Sequence, residues 1–114
     1  MLAVYRILTC LLLPLSAEAT DRKALEKKAA ASDAEAQYQL AEALFWGRGG
    51  KQDLVQAVNW AVLSAKQGNA KGEYRLGVQL VLGQGTETSN ENDKKGFEWL
   101  EKASVGLQEL ANQG

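Results

Sequence analysis

Ala34-Glu35-Ala36-Gln37-Tyr38-Gln39-Leu40-Ala41-Glu42-Ala43-Leu44-Phe45-Trp46-Gly47-Arg48-Gly49 is matched 36 residues later by Ala70-Lys71-Gly72-Glu73-Tyr74-Arg75-Leu76-Gly77-Val78-Gln79-Leu80-Val81-Leu82-Gly83-Gln84-Gly85. Six of the sixteen aligned positions are identical: Ala34/Ala70, Tyr38/Tyr74, Leu40/Leu76, Leu44/Leu80, Gly47/Gly83 and Gly49/Gly85. Self-similarity at a fixed period of this length is the signature of a stacked repeat protein, in which no unit buries its apolar face alone. Trp60 and Trp99 extend the match once three residues are inserted after Gly85, where Thr86 to Glu91 has the polar composition of a loop.

Each unit reads as two helices. The first runs from Ala34 to Trp46, with Ala36, Leu40, Ala41 and Leu44 on one stripe and Gly47 as a left-handed stop. Its copy runs from Ala70 to Leu82 and stops at Gly83. The second helix opens after Asp53, a good N-cap, carries Leu54, Ala57, Val58, Ala61 and Ala65, and ends at Gly68. Its copy is expected to be capped by Asn92 or Asp93, with Gly96, Phe97, Leu100 and Ala103 on its stripe. Ahead of the first unit, Asp21 to Ala31 reads as an unpaired helix, and Gly106 to Ala111 as the start of a unit that is not completed.

Working outward to the N-terminus, Arg6 precedes the apolar run from Ile7 to Leu15, too short to span a bilayer, and Ala17-Glu18-Ala19 follows in the small-x-small pattern of a signal peptidase site. The expectation is a signal peptide over residues 1–19, cleavage between Ala19 and Thr20, and a periplasmic or secreted product. Cys10 would leave with the signal, so the exported chain would contain no cysteine, no disulfide and no transmembrane segment. From Thr20 onward there are 14 Ala, 6 Val and no Pro, which favours helix over strand. The fold class is all-α, a short solenoid of two helix-turn-helix repeats with flanking capping helices: 20–33 as N-terminal cap, 34–68 and 69–105 as repeats, 106–114 as a truncated C-terminal cap.

The stretches Ala34 to Leu40, Gly47-Arg48-Gly49-Gly50, Asp53, Ala57, Trp60 and Ala65-Lys66-Gln67-Gly68-Asn69 resemble the Sel-one-like repeat, a relative of the tetratricopeptide repeat. The second copy keeps Tyr74, Leu76-Gly77, Gly83-Gln84-Gly85, Phe97, Trp99 and Ala103. Its departures are Gly96 in place of the usual Ala, the inserted residues, and a last unit shortened by one residue between Trp99 and Gly106. The resemblance implies a right-handed stack of helix pairs that acts as an adaptor or binding surface. Some secreted members carry disulfides and are linked to penicillin binding, a property not carried over to a chain without the cysteines.

The 114 residues carry 13 Lys and Arg against 14 Asp and Glu, a net charge of -1, and no His. That balance offers no field for nucleic acid, and the absence of His with a single Cys removes His-based catalysis and the usual zinc sites. No cofactor and no metal are expected. Trp60 and Trp99 read as core filler between paired helices, the paired glycines as turn geometry, and Glu98, Glu101, Asp33 and Glu35 as solvated carboxylates. The tetratricopeptide relationship implies a concave face lined by Tyr38, Glu42, Phe45 and Trp46, which follow helical spacing, together with Tyr74, Val78 and Leu82. The function expected is a noncatalytic exported module, adaptor or immunity-like inhibitor, that binds a protein or peptide on that face. The alternative is a small envelope or cell-wall hydrolase working with carboxylates.

Overall fold

The computed structural model describes residues 21–113, so the expected signal segment and its cleavage site lie outside the described residues. Five helices follow in order: α1 (Arg22–Ala30), α2 (Ala34–Trp46), α3 (Leu54–Lys66), α4 (Ala70–Leu82) and α5 (Asn90–Gln113). The described residues form no strand, and none of their helices is long and apolar enough to cross a membrane. The all-α solenoid reading is what is observed.

Caps fix the register of the units. Asp21, Asp33, Asp53 and Asn69 each accept a hydrogen bond from the backbone N–H three residues on, satisfying a donor that the first turn leaves orphaned. Gly47 (φ 73°) and Gly83 (φ 66°) close α2 and α4 in the left-handed conformation that a side chain would oppose. The 36-residue register extends to α1: Ser32 takes φ 68° where Gly68 takes 83°, each just before a capping Asp33 or Asn69. α1 thus holds the place, ahead of α2, that α3 holds ahead of α4.

Two layers result. The backbones of α2 and α4 lie close together and those of α3 and α5 do not, so the α2/α4 layer is the short, inner side of the curve. Leu40 and Leu44 pack with Ala29, Phe45 and Ala57 in one cluster, and Leu76 packs with Ala41, Val58, Ala61 and Ala65 in the next. Trp60 bridges both clusters and Trp99 flanks the second, in keeping with their reading as filler.

The end of the chain differs from the expectation. Ser89, not Asn92 or Asp93, caps α5: its hydroxyl accepts from the Asn92 N–H at 3.0 Å and its carbonyl from the Asp93 N–H. Residues 106–113 do not begin a new unit but continue α5, because Gly106 stays helical and lies against Ala70 instead of turning the chain. Phe97, expected on the core stripe, is 57% exposed. Its counterpart in α3, Val58, is buried by α4, and among the described residues no inner-layer helix follows α5 to do the same. The Gly96 departure has a packing reason: a Cβ there would lie 2.9 Å from the Gly77 carbonyl, so α4 and α5 cross closer than side chains allow.

Candidate partner-binding surface

The inner layer presents α2 and α4 side by side, and equivalent positions recur one repeat apart. Trp46 at the end of α2 is 55% exposed and Leu82 at the end of α4 is 60% exposed. Tyr74 is likewise exposed, and Tyr38 and Val78 are half-buried. Large apolar groups held in water at matching repeat positions are surface that the fold does not use for its own stability.

Phe45 is a correction. It was expected on the groove face, and the structure places it in the α2/α3 core, 7% exposed. The reason is geometric: at i+7 from Tyr38 its side chain lies nearer the Leu40/Leu44 stripe, and its remaining face is covered from α4 by the Arg75 guanidinium, 4.2 Å from the ring centre. Glu42 is also less open than expected, since one carboxylate oxygen accepts from Arg75 Nε and the other from Trp46 Nε1 at 3.1 Å. Arg75 and Glu42 therefore tie α2 to α4, and the Glu42 bond orients the indole of Trp46. No identity across the repeat singles out Arg75 in the sequence, since Gln39 stands at the equivalent site.

A second link between the units runs along the same layer. Glu35 accepts from Asn69 Nδ2 at 3.1 Å, from Lys71 Nζ at 3.2 Å and from Gln39 Nε2 at 3.3 Å. Burial alone would raise its pKa, but these donors, Asn69 first, outweigh it and hold the carboxyl below its ordinary value. Lys71 Nζ also lies 5.7 Å from the centre of the Tyr38 ring. The chain between these links is fixed at the turn: Arg22 of α1 donates to the carbonyls of Ala43, Arg48 and Lys51, filling the space beside Gly50.

Glu98 and Glu101 are exposed on α5, as read from the sequence. Glu73, in contrast, is a carboxylate that the sequence did not flag: it is 3% exposed, with Lys102 Nζ at 3.8 Å. Its counterpart Gln37 is satisfied by Gln67 and by the Ala29 carbonyl, and Gly106 stands where a residue like Gln67 would complete the pattern.

The family model described as Sel1 repeat matches residues 34–69 and again 70–104, within a residue of the repeat limits read from the sequence. The crystal structure of a Sel1 repeat protein from Oxalobacter formigenes superposes with a TM-score of 0.67 at 32% identity, covering 75% of this chain and 25% of that one. The crystal structure of c5321, a protective antigen present in uropathogenic Escherichia coli strains and displaying an SLR fold, does so with a TM-score of 0.67 at 30% identity, covering 76% of this chain and 18% of that one. This chain therefore spans a quarter or less of the length of either relative. Comparison with curated proteins gives no match. With two tandem matches over the helix pairs and the same fold in both solved relatives, the chain belongs to the Sel1 repeat family.

Proposed function

We propose that this protein is a noncatalytic exported interaction module, an adaptor or an inhibitor of the immunity type, that seats a protein or peptide partner on its concave layer. Sel1 repeats typically mediate protein–protein interaction. The observation that carries the reading here is the pair Trp46 and Leu82, apolar, exposed and equivalent across the repeat, on a layer whose two helices are tied by Arg75 and Glu42. Aromatic anchors on a preorganised scaffold supply most of the energy of an interface, and rigidity lowers the ordering cost of binding. Tyr38, Tyr74 and Val78 extend the surface, Glu42 positions Trp46, and Phe45 supports it from beneath.

Export rests on Arg6, the Ile7 to Leu15 run and Ala17-Glu18-Ala19, and places the surface in the periplasm or outside the cell. Mass spectrometry of the protein recovered from the periplasm should give an N-terminus at Thr20; an intact Met1 form in the cytosol would overturn it. The surface itself is tested by affinity capture from an envelope extract with the wild type, with Trp46→Ala and Leu82→Ser, and with Leu63→Ser on the outer layer as control. A specific partner should be lost with the first two variants and kept with the third. Equal recovery by all of them would defeat the concave-layer reading.

A further inference from the structure

The shallow cleft between α1 and α2 holds about 380 Å³ and has an apolar floor of Ala24, Leu25 and Ala43. Its existence follows from the repeat register. Ala24 stands where, 36 residues on, Trp60 packs into the core, so the α1/α2 pair lacks the indole that fills in between α3 and its neighbours. The rim is polar: Asp21, Lys28, Tyr38, Gln39, Glu42 and Arg48.

The rim charges are not equivalent. The Asp21 carboxylate accepts from the Ala24 N–H at the start of α1, and the Glu42 carboxylate is shared between Arg75 and Trp46. Among the described residues Lys28 and Arg48 have no carboxylate within ion-pair distance. Burial first, and then the charge of Glu42, raise the Tyr38 hydroxyl above its ordinary value, so it stays a neutral donor. What the rim has left to offer is two cations and a hydroxyl above an apolar floor, and a carboxylate takes all three as charge-assisted or neutral hydrogen bonds.

We propose that this cleft is a carboxylate-binding site, in which Lys28, Arg48 and Tyr38 hold a carboxylate of a peptide and the floor of Ala24, Leu25 and Ala43 takes the apolar side chain beside it. The proposal rests on the concave layer being the docking surface, since Tyr38 and Glu42 belong to both. It adds the class of partner, one whose docking segment joins an apolar residue to an acidic group.

The test is a titration of the chain from Thr20 onward, followed by backbone amide shifts. The probes are blocked peptides that pair phenylalanine with glutamate, the same peptides with glutamine, and a phenylalanine peptide ending in a free carboxylate. The glutamate or the free-ended peptide should shift the amides around Lys28, Tyr38 and Arg48 saturably, and which of them does so tells a side-chain carboxylate from a chain end. The glutamine peptide should not. Arg48→Gln and Lys28→Gln should each weaken binding by about tenfold, the loss typical of a charge-assisted hydrogen bond, with the helical circular dichroism unchanged. Equal shifts from the glutamine peptide, no saturable shift from any probe, or unchanged affinity in both variants overturns the assignment. A partner lost with Trp46→Ala but retained in full by Arg48→Gln and Lys28→Gln would leave the concave-layer function standing and remove this site alone.

Discussion

Arg75 of α4 lies with its guanidinium 4.2 Å from the centre of the Phe45 ring on α2 while its Nε donates to Glu42 one turn earlier. The two charged side chains are only 10% and 15% exposed, so the pair is desolvated and depends on its geometry. Arg75→Ala should cost about 3 kcal/mol, because it strips the cover from Phe45 and leaves the Glu42 carboxylate with Trp46 as its remaining donor. Combining Arg75→Met with Glu42→Gln should recover most of that loss. Urea denaturation of the single and double variants measures both, and a single variant within half a kcal/mol of wild type would show that the two units are not joined here.

Leu76 tests the stack itself. It lies among Ala41, Val58, Ala61 and Ala65, drawn from α2 and α3, so it belongs to the junction between units as much as to its own pair. Leu76→Ala should lose about 2 to 5 kcal/mol through the cavity it leaves, a large share of the stability of so small a domain. A shift in the urea midpoint worth less than half a kcal/mol would mean that the repeat register is wrong.

The helices α1 to α4 were legible in the sequence to within a residue because each has an Asp or Asn ahead of it (Asp21, Asp33, Asp53 or Asn69) and α2, α3 and α4 have Gly47, Gly68 and Gly83 behind. α5 was misread where that punctuation misleads. Asn92 and Asp93 are as good as caps in isolation, but Ser89 takes the role because the Asn92 amide is drawn to the Glu87 carbonyl. Gly106 reads as the start of a further unit, yet it is a helical glycine that approaches Ala70 closely. The candidate surface was half legible. Helical spacing gave Tyr38, Glu42, Phe45 and Trp46 a common face and the family resemblance implied that this face is concave, but a stripe cannot say which edge residue turns inward, and Phe45 does. Arg75 and the Ala24 cleft depend on cross-repeat neighbours, and only the three-dimensional register brings those together.

The crossing of α4 and α5 predicts an unusual response to alanine. Gly→Ala within a helix ordinarily gains about 1 kcal/mol from propensity. At Gly77, however, a Cβ would lie 2.8 Å from the Gly96 carbonyl and 2.7 Å from Leu100, and at Gly96 it would lie 2.6 Å from Val81. Gly77→Ala and Gly96→Ala should therefore each be destabilising, by about 1 to 3 kcal/mol, as overpacking usually is. Either variant proving more stable than wild type in thermal unfolding would show the crossing to be looser than described.

Acid should weaken the link between the units through Glu35. Its folded pKa lies below the ordinary value of 4.5, because the donors Asn69, Lys71 and Gln39 overcome the opposing effect of burial. A depressed carboxyl contributes stability that is fully present above the unfolded pKa and is lost as pH falls through the folded one. The side chain is 44% exposed, so solvent screens the effect and it should be small. Lys71→Met removes one donor and its charge while leaving the Asn69 cap intact. Carbon-detected titration of the Glu35 carboxyl should show its midpoint rise in the variant, with a smaller difference in stability between neutral and acid pH. A midpoint that does not move would mean that Lys71 plays no part in holding it.

Trp46 and Phe45 are neighbours in sequence, edge to face with centroids 4.8 Å apart, and the structure assigns them opposite roles. Phe45 is buried beneath Arg75 against Leu40, Leu44 and Ala57, so Phe45→Ala should cost about 3 to 5 kcal/mol and unfold much of the chain. Trp46 gives up one hydrogen bond to Glu42 and one aromatic edge when truncated, with more than half of its surface already in water. Trp46→Ala should therefore change the unfolding free energy by no more than about 1 kcal/mol, the usual worth of such a partly exposed contact. If the inner layer docks a partner, the same variant should weaken that complex by about 2 kcal/mol or more, as expected when an aromatic anchor is removed. Circular dichroism, urea denaturation and binding measured on one preparation separate the two effects. Unfolding by Trp46→Ala would place the indole in the core, and unchanged stability together with unchanged binding would move the docking surface away from the end of α2.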